Sequence, residues 1–267
     1  MTSSKSNMVR YSASNIETLR QSGRILHDCL EYMGTRVKAG VSTLELDRLA
    51  EAFIVARGGE GCFKDVQGYG YTICASINEE SVHGMPNAKR ILRDGDIISI
   101  DCGVRFGPRG QSMCTDACRT FPVGKISPAA AELIAVTKQA FEVGIFGLKS
   151  GDAVKTIGKR IDKFIDGRYG IVDTYFGHGI GRTVHEGVLI PNFDVDRGGY
   201  NVGRIHEMAN ECLHDGAIIC IEPMINAGAP ALVTAPDGWT AVTRDGKLAA
   251  HYENTIIVWK TGVEVVT

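Results

Sequence analysis

Apolar residues recur at helical intervals early in the chain, where Leu19, Leu26, Leu30 and Met33 follow a polar stretch at residues 1–11. Ser14-x-x-Glu17 stands ahead of them as a capping box, a pair whose side chains can satisfy N–H groups that the first helical turn leaves free. The pattern predicts a flexible arm over residues 1–11 and a first helix beginning near Asn15. A second box, Ser42-x-x-Glu45, opens a helix carrying Leu46, Leu49 and Phe53 that Gly58-Gly59 should stop. The period then shortens: residues 71–77, 96–104 and 114–123 read as strands, the last two joined by a Gly/Pro/Arg loop at 106–111. Ser127-Pro128 supplies an N-cap and a first-turn proline for a helix whose apolar spacing runs to Leu148, and another helix is expected over 152–166. Strands and loops follow, with a turn at 210–216, a strand at 217–224 and a last extended run at 250–258.

Two passages repeat. Leu92-Arg-Asp-Gly-Asp-Ile-Ile-Ser-Ile-Asp101 is echoed by Leu213-His-Asp-Gly-Ala-Ile-Ile-Cys-Ile-Glu222, an offset of 121 residues with an acid closing each run. Upstream, Val37-Lys-Ala-Gly40 is echoed by Leu148-Lys-Ser-Gly151 at an offset of 111, so an insertion of about ten residues is expected in the second half, at 191–210. Two halves of similar build would bring their acids together about a pseudo-twofold axis.

At 267 residues the chain can bury a substantial core. A net charge of −2 without a basic tract argues against nucleic acid or an anionic membrane as partner. No run approaches the roughly 20 apolar residues of a membrane span. The start, Met1-Thr-Ser-Ser-Lys-Ser-Asn, lacks the apolar core of a signal peptide, so a cytoplasmic protein is expected. Several of the eight cysteines lie in apolar runs such as Ile218-Ile-Cys-Ile221, which suits reduced thiols acting as small hydrophobes. Cys102, Cys114 and Cys118 lack the second pair that a zinc site would need.

The chemistry concentrates elsewhere. Tyr175-Phe-Gly-His178-Gly-Ile-Gly-Arg182-Thr-Val-His185-Glu186 sets two histidines among glycines that let a backbone approach a bound group. Asp101, Asp116, Glu222 and Glu253 lie in or beside predicted strands, where alternate side chains share a face and cross-strand Cβ atoms come within about 5 Å. Four ionised acids so grouped would raise one another's pKa values unless positive charge stood near. With His178 neutral, two divalent ions balance them. This oxygen-rich set with one imidazole suits Mn²⁺, Fe²⁺ or Co²⁺ at least as well as Zn²⁺, and points to metal-assisted hydrolysis. Taken singly, each acid reads as a solvated strand end and each histidine as an ordinary surface or core residue; only the combination carries the reading.

Those residues, with Ser76-Ile-Asn-Glu-Glu-Ser-Val-His83-Gly-Met-Pro86, Thr115-Asp116, Ile221-Glu222-Pro-Met224, Asp237-Gly-Trp239 and Tyr252-Glu253-Asn-Thr255, resemble the type I methionine aminopeptidases over residues 14–267. The resemblance implies an α+β "pita-bread" fold, a pseudo-twofold curved antiparallel sheet backed by helices, as one catalytic domain over 12–267 with halves at about 12–123 and 124–267. It implies metal ligands Asp101, Asp116, His178, Glu222 and Glu253 for two divalent ions (Co, Mn, Fe or Zn) that activate water, with Glu222 also the general base. It implies that His83 and His185 flank the scissile bond, and that Tyr69, Cys74 and Trp239 line a methionine pocket. The implied substrate is the N-terminus of a peptide or nascent protein with a small second residue, the implied partner the ribosome, and the implied state a monomer.

The chain departs from that family's pattern at three places. The 106–111 loop between Asp101 and Asp116 is long; Gly187-Val-Leu-Ile-Pro191 and the segment to 210 follow His185-Glu186 and should alter the cleft rim; Val66 and Val184 stand where aromatic residues are common, which should widen the pocket. An X-Pro dipeptidase of the same fold is the nearest rival, hinted at by Arg119-Thr-Phe-Pro122. Such enzymes normally carry a long N-terminal domain, for which the short arm before Ser14 leaves no room. A non-catalytic pita-bread binding protein should lack a ligand, and none is missing.

Overall fold

The structure, a computed structural model, describes residues 7–66, 68–197 and 203–267. Helix α1 (Ala13–Arg36) starts one residue after Ser12, whose extended backbone lets its Oγ accept the Asn15 N–H at 3.3 Å. Ser14, expected to cap, already lies within the first turn, so the cap belongs to the serine two residues earlier. Helix α2 (Thr43–Val55) is capped as predicted, with Ser42 Oγ accepting the Glu45 N–H at 3.1 Å. Ser127 does the same for Ala130 at the head of α3 (Pro128–Ile145). Helix α4 (Lys155–Ile165) ends on Asp166 in the left-handed region, φ 49°. A short helix, α5 (Gly203–Ala209), occupies part of the segment read as an insertion; residues 198–202 of that segment lie outside the described residues.

A nine-stranded antiparallel sheet holds the centre. Its principal strands are β1 (Ile73–Ile77), β2 (Ile97–Phe106), β3 (Met113–Pro122), β4 (Gly177–Gly179), β5 (Glu186–Ile190), β6 (Ala217–Ile221) and β7 (Glu253–Trp259). Hydrogen-bonded order runs from Glu60–Gly61 through β2, β3, β7, β6 and β4 to β5, with β1 also on β2 and Gly262–Val265 on β7. The expected strands at 217–224 and 250–258 each break. Pro223, which has no N–H to give a ladder, follows β6, and the chain resumes at Met224–Asn226 in a separate three-stranded sheet, paired with Ala249–His251. Glu222 and Glu253 therefore sit where the chain passes between sheets.

Alternation sorts the strands' two faces. Ile98, Ile100 and Cys102 of β2 bury themselves against Leu26, Leu30, Met33 and Leu46 of α1 and α2. Ile219 and Ile221 of β6 pack with Leu133, Phe141, Ile157 and Ile161 of α3 and α4. The helices thus back one face, and the intervening residues Asp101, Cys220 and their neighbours turn to the other.

The repeat seen in the sequence is repeated in hydrogen bonds. Gly40 N–H donates to Leu92 O at 2.9 Å, and Gly151 N–H to Leu213 O at 2.8 Å; Leu92 N–H returns to Val41 O, and Leu213 N–H to Asp152 O, both at 2.9 Å. Isolated bridges join Ser42 to Ile91 and Ala153 to Cys212, positions related by the same two offsets. The pseudo-twofold relation thus extends to the turns that start β2 and β6.

Of the expected arm, residues 1–6 lie outside the described residues, while Asn7 to Tyr11 run against the loop after β4. Asn7 donates from its backbone to Glu211, and the Tyr11 hydroxyl donates to Glu186. The segment after β5 joins the core rather than only rimming the cleft: Phe193 is fully buried among α3 and α4 residues. Gly158 of α4 lies so near it that a Cβ would stand 2.1 Å from Phe193 O. Alanine is the better helix former by about 1 kcal/mol, but the overlap is with backbone, and such overpacking costs about 1–3 kcal/mol. Gly158→Ala is therefore expected to lose up to about 2 kcal/mol of unfolding free energy in urea titrations, the overlap cost less the gain in helix propensity; greater stability would show that α4 and residues 191–193 do not meet closely.

Candidate metal centre and active site

Register decides which side chains converge. Asp101 pairs with Cys118, which on its other side pairs with Glu253, while Cys74 pairs with Asp101 from β1. Two residues along, Gly103 pairs with Asp116, and Thr255 pairs with Cys220. Thr255 fastens Asp116 to β7: its Oγ1 accepts the Asp116 N–H at 2.8 Å and donates to Asp116 O at 2.9 Å. His178 enters from β4. Its Nδ1 lies 3.0 Å from Gly179 O, and a proton donated there leaves the Nε2 lone pair facing the acids.

All five expected donors meet. His178 Nε2 stands 3.6 Å from Glu222 Oε1, 3.9 Å from Asp116 Oδ2 and 4.0 Å from Glu253 Oε1. In three overlapping triads (Asp101, Asp116, Glu253; His178, Cys220, Glu253; Glu222, His251, Glu253) ligand atoms lie within 4.8 Å of one another. Asp101 Oδ1, Asp116 Oδ1, Glu253 Oε1 and His251 Nε2 are buried without a hydrogen-bond partner among the described residues. Buried polar atoms ordinarily have partners. Here carboxylate oxygens and imidazole nitrogens at a few ångströms' separation fit divalent cations bound among them.

Electrostatics agrees with the geometry. Burial pushes Asp101 up to about 7, against hydrogen bonds from Asp116 and the Cys102 N–H that pull it down. Asp116, Glu222 and Glu253 are driven well above the carboxylate range, first by burial and then by one another's charge and that of Asp101. Burial, then the neighbouring His185, lowers His178 to about 3, so its imidazole is neutral at physiological pH. Without added positive charge, these acids would hold protons.

His83 and His185 lie on the same pocket. The His185 ring meets the His178 ring edge to face at 4.4 Å, and His83 meets Tyr175 at 5.1 Å. His83 adopts a left-handed backbone, φ 61°, uncommon outside glycine, and Gly84 beside it lies too close to Ala75 O to carry a Cβ. Burial lowers His83 to about 4 and lowers His185 too. The loop bearing His185 is clasped by Glu186, whose carboxylate accepts from the Arg182 and Thr183 N–H groups and from the Tyr11 hydroxyl.

Tyr69, Cys74 and Trp239 line the pocket's apolar side, with the Tyr69 and Trp239 ring centroids 5.2 Å apart. The Tyr69 hydroxyl donates to Ile73 O at 2.7 Å, which fixes the ring. Val66 borders the pocket, whereas Val184 packs into the core with Ile180 and Ile218. Any widening at the rim is thus confined to Val66. Two residues escaped the sequence reading. His251 lines the pocket beside Glu222 and Glu253, and Asn192 Oδ1 accepts the Glu222 N–H at 3.3 Å. Only the x-Glu spacing of His251-Tyr-Glu253 could have flagged the first; no local signal flagged the second.

A family model for metallopeptidase family M24 matches residues 17–260. Methionine aminopeptidase of Clostridium acetobutylicum is 41% identical over 256 residues, covering 95% of this chain and 96% of that one. The crystal structure of methionine aminopeptidase from Rickettsia prowazekii superposes with a TM-score of 0.87 at 32% identity, covering 97% of this chain and 99% of that chain. X-Pro aminopeptidase from Thermotoga maritima, at 21% identity and a TM-score of 0.72, shares the fold alone, and this chain spans 62% of it. The chain has the pita-bread fold and belongs to metallopeptidase family M24.

Proposed function

We propose that this enzyme removes the N-terminal methionine from peptides and nascent proteins whose second residue is small. The observation that carries the reading is the convergence of Asp101, Asp116, His178, Glu222 and Glu253 in one pocket that His83, His185 and an aromatic wall also line. The relatives that match nearly end to end bear the name methionine aminopeptidase, which supports the same reading. We assign the five donors to two divalent ions, from among Co, Mn, Fe and Zn, because four carboxylates balance two such charges. Bound there, the ions would lower the pKa of water toward neutrality and polarise the scissile carbonyl.

The protein's own residues do the rest. The Glu222 carboxylate takes a proton from the attacking water and returns it to the leaving amine. His83 and His185, kept neutral by burial, hydrogen-bond around the carbonyl and the scissile amide and favour the tetrahedral geometry over the planar one. The substrate's α-amine is held against the acidic wall, which restricts cleavage to the first residue. Tyr69, Cys74 and Trp239 offer aromatic and thiol surface to an unbranched thioether. The catalytic unit spans 12–267 with halves at about 12–123 and 124–267. On this reading it acts on emerging chains in the cytoplasm, as a monomer at the ribosome. Among the described residues no helix is long and apolar enough to cross a membrane.

Three outcomes are expected. Glu222→Gln removes a charge from the acid cluster together with the base, and should lower kcat on Met-Ala-Ser by at least about 10³-fold while circular dichroism stays native; undiminished turnover would refute the role of Glu222. Peptides beginning Met-Ala, Met-Lys and Ala-Pro should be cleaved in the first case only, whereas release from Ala-Pro would favour the X-Pro rival. Chelation should abolish activity and lower the melting temperature, and restoring Mn²⁺ or Co²⁺ at a hundred times its Kd should return about 2.7 kcal/mol of stability.

A further inference from the structure

His251 closes the short strand Ala249–His251, where it pairs with Met224. Its backbone is held at both ends by one hydroxyl: His251 N–H donates to Thr120 Oγ1 at 3.0 Å, and Thr120 Oγ1 donates to His251 O at 2.9 Å. The side chain is 2% exposed, and Nε2 has no hydrogen-bond partner among the described residues. It faces Glu222 Oε2 and Glu253 Oε2, each at 3.8 Å. His178 Nε2 faces the other oxygens of the same two residues, Glu222 Oε1 at 3.6 Å and Glu253 Oε1 at 4.0 Å. The glutamate pair therefore presents one oxygen of each carboxylate to each imidazole.

A separation of 3.8 Å is too long for an N–H···O hydrogen bond, which needs about 3.2 Å or less. It suits two ligands of a common ion: donors about 2.1 Å from a metal stand roughly 3–4 Å apart over ordinary bond angles. We infer that His251 is a metal ligand, completing with Glu222 Oε2 and Glu253 Oε2 a nitrogen-and-oxygen donor set for a divalent transition-metal ion. The inference rests on the assignment of Glu222 and Glu253 as ligands. An imidazole adds a donor without charge, so the balance of four carboxylates against two divalent ions is kept. Its nitrogen favours Mn²⁺, Fe²⁺, Co²⁺ or Zn²⁺ over Mg²⁺ or Ca²⁺, which prefer oxygen alone.

Histidine nitrogens bound to Mn²⁺ can be counted by pulsed electron paramagnetic resonance, with metal per chain measured by mass spectrometry. The full chain loaded with Mn²⁺ should show couplings to two imidazoles, and His251→Gln and His178→Gln should each retain one. Mn²⁺ affinity of His251→Gln should fall by about tenfold or more. Couplings unchanged in His251→Gln but reduced in His178→Gln would overturn the inference and leave the centre itself intact. Absence of bound metal in the unmutated chain would overturn both. Should His251→Gln not fold, the count in the unmutated chain decides, one imidazole being the refuting result.

Discussion

Four carboxylates that converge on one place, three buried and Asp101 half-buried, constrain everything else in this molecule. Each is costly to ionise there, as burial and mutual repulsion move Asp101, Asp116, Glu222 and Glu253 upward together. A fold that gathers them must therefore be rigid enough to hold like charges near one another and must leave the pocket open to cations. Hydrogen bonding supplies the rigidity. The Thr255 hydroxyl joins Asp116 to β7, and Arg119 donates to Glu253 O and to Asn254 while stacking on Tyr252. None of these contacts neutralises the carboxylates themselves, so their oxygens stay free for metal.

The division of labour between sheet faces makes such a site affordable to the fold. Strand alternation sends Ile98, Ile100, Ile219 and Ile221 into the helices and Asp101 and Cys220 toward the pocket, so the core that stabilises the sheet is separate from the cluster that strains it. Buried cysteines serve on the pocket side. Cys74, Cys118 and Cys220 are small enough to sit beside the acids without filling the space between them, and all are free thiols.

Much of this was legible in the residues because it is local. Ser42 and Ser127 announce their helices through a single hydroxyl, and the Asp-Gly turns before β2 and β6 announce the duplication. The face that each residue of β2, β3 and β7 turns follows from alternation once the strands are found, although which residues lie opposite one another does not. What stayed hidden depends on distant partners. Ser14 looked like a cap because its spacing to Glu17 is right, but the helix begins where Ser12 adopts extended backbone. The strand breaks at Pro223 and Tyr252 arise from a switch between sheets that no local period reports. Asn192 reaches the Glu222 N–H only because the segment after β5 folds back onto α4, and His251 gains meaning only beside two glutamates.

The pseudo-twofold relation also explains why the site holds four acids rather than six. Asp101 pairs with Cys118 in the first half; continuing the register of Ile221 with Asn254 sets Glu222 against Glu253 in the second. Asp101 and Glu222 are thus counterparts, both acidic, while Cys118 is the counterpart of Glu253. By the same relation Thr255 is the counterpart of Thr120, since Ser99 pairs with Thr120 as Cys220 pairs with Thr255, and His251 is the counterpart of Asp116: the Thr120 hydroxyl clasps the His251 backbone as the Thr255 hydroxyl clasps that of Asp116. At each of the two positions beyond Asp101 and Glu222 one half carries a carboxylate and the other an uncharged side chain, Cys118 answering to Glu253 and His251 to Asp116. Carboxylates at all six would put six negative charges where two divalent ions supply four positive ones, and the excess would have to be met by protons. Duplication built the scaffold, and charge balance broke its symmetry: His251, an imidazole that burial keeps uncharged, stands in the place where a third acid of its own half would be.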